Sequence, residues 1–199
     1  LRSLDPSVKP VSDRDSLHRF LFESAGVRGQ LVHLDASWRA VLDAHPYPPP
    51  VGRQLGEAMA SVLLLTSTLK FKGSLILQAH GDGPLRTLVA QATHRRTVRG
   101  LARWEAGVPG DAAGLEAVFG AGRLALTLEP TRGERYQGIV PLEGRNLAAA
   151  LEAYFNASEQ LPTRLWLAAD KKRAAGMLIQ RLPAHQGPQE DWERIGLLA

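Results

Sequence analysis

The spacing of the apolar residues changes near Phe71, and that change constrains the fold more than any other feature. Before it, most apolar residues recur at helical spacing; after it most of them alternate, as Leu124, Leu126 and Leu128 do, which predicts strands. Helices are predicted over residues 13–23, around residues 38–42, over 51–69 and over 146–159, with a single helical turn at 115–119. Strands are predicted over residues 27–34, 74–80, 85–93, 98–104, 123–129, 136–142, 161–168 and 177–182.

These elements predict one α+β domain, built on a mostly antiparallel sheet of about six strands with helices on one side. The 199 residues fit one domain of ordinary size. Residues 1–12 form a polar, proline-bearing lead-in. Ser12 and Asp15 have the spacing of a capping box for the first predicted helix. Asp35 or Ser37 is the predicted N-cap of the second helix, and Asn146 that of the last.

Cysteine is absent from the sequence. Its absence excludes a disulfide framework, a thiolate metal site and a cysteine nucleophile within these residues.

The net charge of +4 is only weak support for an acidic partner, because nucleic-acid binding requires clustered charge. The first residues lack the apolar core of a signal peptide, and the most apolar run, 58–69, is too short and too polar to span a membrane. A cytoplasmic protein is therefore expected.

The sequence shows no set of catalytic residues typical of an enzyme. The six histidines are scattered and none forms a metal-binding pair; they are His18, His33, His45, His80, His94 and His185. The segment GDGPL at 81–85 resembles a phosphate loop, but it lies between strands and is interpreted as a tight turn. The segment ERYQG at 134–138 groups Glu134, Arg135 and Tyr136; a structural ion pair and a hydroxyl that tethers the hairpin explain it more simply than catalysis.

The basic residues of several loops leave one alternative open. If these loops converge, they form a phosphate-binding face, and the chain is an RNA-associated module. Trp104 is the only aromatic residue nearby, however, so a stacking platform is lacking and a solvated face is favoured. Nucleic acid is not the expected partner. The residues concerned are His94, Arg95, Arg96, Arg99, Arg103, Arg132, Arg135, Lys171, Lys172 and Arg173.

Several short motifs, in order through residues 15–182, resemble heat shock protein 33, a family of redox-regulated, ATP-independent holdase chaperones. No single motif is decisive, but the shared order is specific. The matching segments are LHRFLFE at 17–23, VRG at 27–29, TLKF at 68–71, GDGPL at 81–85, VRG at 98–100, GERYQG at 133–138, LEAYF at 151–155, SEQLPTR at 158–164 and AAGML at 174–178.

The resemblance implies a chaperone core over residues 13–183, followed by a linker that begins at 184–199. It also implies a C-terminal domain whose four cysteines bind zinc when reduced and form disulfides under oxidative stress, which exposes a client-binding surface. Those cysteines are not in this sequence, so we expect no cofactor and no metal here, and zinc only in a full-length protein. The sequence ends about where the linker is expected to begin, after Trp192 and Ile195 start an apolar spacing of three.

The resemblance further implies that the partners are unfolding client proteins and a second copy in a homodimer. Apolar positions of the sheet that face the linker are expected to contribute to client binding. Alternation alone does not identify which residues these are.

Overall fold

The computed structural model describes residues 14–69, 72–109, 114–158, 160–182 and 189–198. The described residues form nine strands and five helices. The strands are β1 Ser16–Phe22, β2 Val27–Leu34, β3 Gly73–His80, β4 Leu85–Thr93, β5 Val98–Trp104, β6 Arg123–Pro130, β7 Tyr136–Pro141, β8 Thr163–Ala169 and β9 Ala174–Arg181. The helices are α1 Ala36–Ala44, α2 Pro49–Thr68, α3 Gly114–Phe119, α4 Leu147–Ser158 and α5 Gln189–Leu198.

The strands form two sheets, in which every pairing is antiparallel. One sheet has four strands in the order β1-β2-β9-β8, and the other has five in the order β5-β4-β3-β6-β7. The α+β class predicted from the sequence is confirmed. The expectation of a single sheet of about six strands is wrong, because β2 pairs with β9, which places β1, β2, β9 and β8 in a sheet separate from β3 to β7.

Helix α2 lies between the two sheets and forms the centre of the core. Leu55, Met59, Val62 and Leu64 are fully buried, and the helix packs on strands of both sheets. Prolines at its first positions suit a helix start, where the missing N–H leaves no bond unmade. A helix that is apolar on nearly all sides needs cover on both sides, so helices confined to one side of a sheet, as the sequence suggested, do not describe this fold.

The prediction of a helix over residues 13–23 is wrong, because Ser16–Phe22 is the edge strand β1. Leu17, Phe20 and Leu21 have helical spacing by coincidence. Leu17 lies opposite Val32 and Phe20 opposite Gly29, so the two side chains point to opposite faces of the sheet. The apolar residues serve two faces of one strand, which breaks the alternation that usually identifies a strand.

Asp15 has a capping role, but for another helix than the one predicted. Its carboxylate accepts the backbone N–H of Asp35 at 2.8 Å and that of Ser37 at 3.2 Å, where α1 begins. Asp35 makes no capping bond with its own side chain, and Ser12 lies outside the described residues. The cap of α4 is confirmed, since the N–H of Ala149 donates to Oδ1 of Asn146 at 3.0 Å. None of the described helices has the length and apolar character needed to cross a membrane.

Candidate functional site

The face of the four-stranded sheet that points away from α2 carries a group of apolar side chains, which we call the outer apolar face. His18, His33, Arg164 and Arg181 lie on the same side of the sheet. Opposed residues of paired strands share a face, which places Leu31 beside Met177 and Met177 beside Trp166. Its members are Phe20 and Phe22 of β1, Val27 and Leu31 of β2, Met177 and Ile179 of β9 and Trp166 of β8.

Helix α5 covers one part of the outer apolar face. Trp192, only 7% exposed, packs with Val27 and Ile179 in a small cluster separate from the main core. Ile195, one turn further along α5, packs against the same cluster together with Trp166. The spacing of three between Trp192 and Ile195 therefore marks the face of α5 that contacts the sheet.

The part of the face on β1 is not covered by α5. Phe20 is 36% and Phe22 44% exposed, and their rings meet edge to face with centroids 5.6 Å apart. The Phe20 ring lies directly over Gly29, where an added Cβ would come within 2.1 Å of the ring. Neighbouring exposed aromatic residues on an edge strand are typical of surfaces that bind other polypeptides.

The helical state of α5 depends on its contact with the sheet. The helix has ten residues, fewer than the ~12–15 at which an isolated helix becomes even marginally stable in water. Its own support is local: Glu190 and Asp191 lie in the first turn, and Asp191 pairs with Arg194 at 3.2 Å. Loss of the Trp192 contact would therefore unfold the cover as well as detach it.

The described histidines do not form a common site. His94 accepts the N–H of Gly73 at Nδ1, 3.1 Å away, and the Nδ1 of His80 lies 3.2 Å from the Thr87 hydroxyl. His18 and His33 are on the outer side of β1 and β2, and His45 follows α1. His185 lies outside the described residues, among which no group of three metal-ligating side chains occurs.

The segment 81–85 connects β3 to β4 and packs on the end of α3. The N–H of Gly83 donates to the Phe119 carbonyl at 2.8 Å, and the N–H of Ala121 donates to Oδ1 of Asp82 at 2.8 Å. An added Cβ at Gly81 would lie 1.8 Å from the same carbonyl. The turn thus uses its backbone and its carboxylate to bind α3.

The basic loops converge only in part. Residues 94–96 and 130–135 flank the first residues of β3, whereas Lys171, Lys172 and Arg173 belong to a hairpin of the other sheet. Several of these cations have partners in the protein. Arg173 lies 3.5 Å from buried Asp35, Arg135 lies 3.7 Å from Glu129, and Nε of Arg99 donates to Gln91 at 2.7 Å.

The segment 134–138 leads into β7, which begins at Tyr136. Gln137 donates to the hydroxyl of the buried Thr127 at 2.8 Å on one face of the five-stranded sheet, while Tyr136, half exposed, lines an open cavity on the other face. The ion pair of Arg135 reaches across the hairpin to Glu129. The structural ion pair expected in this segment is therefore the one between Arg135 and Glu129 of β6.

Sequence reasoning missed Phe20 and Phe22 as surface residues. No local signal identified them, because Leu17 and Leu21 on one face are as apolar as Phe20 and Phe22 on the other, so the segment lacks the alternation typical of a strand.

Two antiparallel sheets around one buried helix place this chain in a distinct class of α+β proteins, and a solved member shows the same architecture. The crystal structure of the 33 kDa chaperonin of Thermotoga maritima, a heat shock protein 33 homologue, has a TM-score of 0.79 at 26% identity. The match covers 90% of this chain and 64% of that one.

Sequence comparison gives the family. The sequence model of the Hsp33 protein family matches residues 15–199. The 33 kDa chaperonin of Nitrosococcus oceani is 60% identical over 189 residues, which are 95% of this chain and 65% of the relative. That of Shewanella frigidimarina is 47% identical over 186 residues, 94% of this chain and 65% of the relative. The chain belongs to the Hsp33 family, and it spans about two thirds of the length of these relatives.

Proposed function

We propose that this chain is the core of an ATP-independent holdase chaperone, in which the outer apolar face binds unfolding client proteins and α5 partly covers it. The observation that supports this proposal most is the division of one apolar face into a part under Trp192 and an exposed part at Phe20 and Phe22. The names of the relatives, 33 kDa chaperonins, agree with a protein that binds other polypeptides.

The physical requirements of a holdase explain the arrangement. Such a protein needs apolar surface that aggregating chains can reach, yet a large exposed patch would cause the chaperone itself to associate. A short docked helix limits the exposed area. Because α5 is too short to persist alone, a modest change in its contacts converts covered surface into binding surface.

We propose that redox regulation depends on cysteines outside this sequence. The sequence contains no cysteine, so neither a zinc-thiolate site nor a disulfide forms from it. In the full-length protein we propose that a cysteine-rich zinc domain controls whether residues after 183 stay docked. The activity of the present chain should then be the same under reducing and oxidising conditions. A cytoplasmic location and a homodimer are part of the same proposal.

Substitutions that detach α5 from the sheet test this proposal. Trp192→Ser removes the anchor of α5 and should increase the suppression of light scattering from a thermally unfolding client, measured at equal chain concentrations. Leu197→Ser is the matched control, because Leu197 lies on the same helix but is 87% exposed. The double variant Phe20→Ser, Phe22→Ser should reduce suppression, since it removes the exposed aromatic pair.

The outcomes separate the proposal from its alternatives. If Trp192→Ser does not differ from the control and the double Phe variant matches the wild type, the outer apolar face is not the binding surface. If the unmodified chain and all variants leave scattering unchanged, reduced or oxidised, the chain has no holdase activity of its own. Circular dichroism and urea unfolding establish that each variant retains the two-sheet core.

A further inference from the structure

A second apolar site is an open cavity between the two sheets, away from the outer apolar face. A cavity of about 260 Å³ opens between α2, α4 and the strands of both sheets, lined by leucines of α2, β3 and β6 and by Tyr154 and Phe155 of α4. Ligand cavities usually measure ~300–1,000 Å³. This cavity is slightly smaller than that range, so it suits a small ligand with an apolar part.

One end of the cavity carries a cation. Arg28 of β2 lines it, half-buried, on the face of the sheet that points toward α2. Its Nε and Nη2 both donate to Oε1 of Gln180, at 3.2 and 2.7 Å. The guanidinium is thus held by an amide oxygen. Within the described residues it has no carboxylate partner, and desolvation together with the nearby Arg19 charge lowers the pKa of Arg28.

The amide that holds Arg28 is fixed by a chain of hydrogen bonds. Gln180 is 1% exposed, and its Nε2 donates to Oγ1 of Thr163 at 3.0 Å. The Thr163 hydroxyl in turn donates to the Leu161 carbonyl at 2.9 Å. The hydroxyl proton of Thr163 is therefore donated to Leu161, and this hydroxyl can only accept from Gln180. The amide N–H of Gln180 thus points to Thr163 and its oxygen points to Arg28. The network positions the guanidinium without neutralising it.

We propose that this cavity binds a short-chain or medium-chain fatty carboxylate, with the carboxylate on Arg28 and the alkyl tail among the leucines. A carboxylate supplies the negative charge that Gln180 lacks and accepts the remaining guanidinium N–H groups. The tail replaces water at an apolar wall. Arg19 at the same side, whose Nη2 donates to the Ser67 carbonyl at 2.8 Å, adds to the positive potential at the mouth.

The probe is octanoate, with octanol and octylammonium as analogues of equal tail length that carry no charge or the opposite charge. Calorimetry should show saturable binding of one octanoate per chain and weaker binding of both analogues. In spectra of methyl-labelled protein, octanoate should shift the methyl groups of Leu65 and Leu126, which line the cavity, and leave Leu31 on the outer apolar face unchanged.

Arg28→Gln should weaken octanoate binding by about tenfold or more, because a charge-assisted contact is lost. The same variant should leave octanol binding unchanged. Arg103→Gln is the matched control, since Arg103 is exposed on β5 of the other sheet. Leu128→Phe narrows the cavity and should reduce the binding of octanoate and octanol together, which tests the site independently of Arg28.

Four results would overturn the proposal: no octanoate binding to the wild-type chain, equal affinity for the three probes, octanoate binding that survives both Arg28→Gln and Leu128→Phe, or shifts that map to the outer apolar face. The proposal is independent of holdase activity, because Arg28→Gln leaves Trp192 and Phe20 in place. Urea unfolding of each variant shows whether the core is intact.

Discussion

Two glycines one turn apart on α2 predict stability changes of opposite sign. Gly52 and Gly56 are both buried in the helix that lies between the sheets. Replacing a helical glycine by alanine normally stabilises a helix by ~1 kcal/mol, because the unfolded chain loses freedom and the helix gains propensity. That gain applies to both positions equally, so the difference between them measures packing alone.

The surroundings of the two positions differ sharply. A Cβ at Gly52 would find its nearest neighbours at 3.7 Å on Tyr47 and 3.8 Å on Leu42, which are ordinary contacts. A Cβ at Gly56 would lie 2.5 Å from the Cβ of Ala169. An alanine Cβ cannot rotate away, so α2 or β8 must shift. Overpacking of this kind costs ~1–3 kcal/mol, which cancels or exceeds the gain in propensity.

We expect Gly52→Ala to raise the free energy of unfolding by about 0.5–1 kcal/mol and Gly56→Ala to lower it by up to about 2 kcal/mol. Urea unfolding followed by circular dichroism gives both values, and unchanged m-values show that the same transition is compared. The separation in Tm should be several degrees, at ~2–4 °C per kcal/mol for a chain of this size. Equal stabilisation by both substitutions would refute the packing argument.

Two further substitutions test local features. Backbone N–H groups of Arg173 and Lys172 hold the pKa of Asp170 below its usual value, so its contribution to stability is present above about pH 4 and lost as the pH falls further. Asp170→Asn should lower the free energy of unfolding by about 1 kcal/mol or less at pH 7. The urea midpoint of the variant should therefore fall less between pH 7 and pH 3 than that of the wild type; an equal fall would contradict this. Asn146→Ala should cost ~1 kcal/mol through the lost cap of α4, whereas equal urea midpoints would show that the cap contributes nothing.

Much of the local structure could be predicted from the sequence because it depends on neighbouring residues. Alternating leucines identified β6, apolar residues at helical spacing over 51–69 identified α2, and the side chain of Asn146 identified the start of α4. Helix α5 was not predicted, although the spacing of three between Trp192 and Ile195 marks its face that contacts the sheet. Each of these signals lies within a few residues of the structure it specifies.

The division into two sheets could not be predicted in this way. It depends on the pairing of β2 with β9, for which no local signal exists. The edge strand β1 was predicted as a helix because its apolar residues serve both faces. The fatty-carboxylate cavity was missed for a similar reason: Arg28 and Gln180 are far apart in sequence and adjacent only across the paired strands.

The order of strands in the four-stranded sheet has a consequence for synthesis on the ribosome. All strands of the five-stranded sheet lie between Gly73 and Pro141, so that sheet can form while the chain is still growing. Strand β2 must wait for β9, since Leu34 pairs with Ala174. At ~5–20 residues per second, the intervening stretch of about 140 residues takes roughly 7–30 s to emerge. During that interval the β1–β2 hairpin, with Phe20 and Phe22, has no partner strand. A nascent chain of this protein therefore passes through a state that itself exposes the kind of surface a chaperone binds.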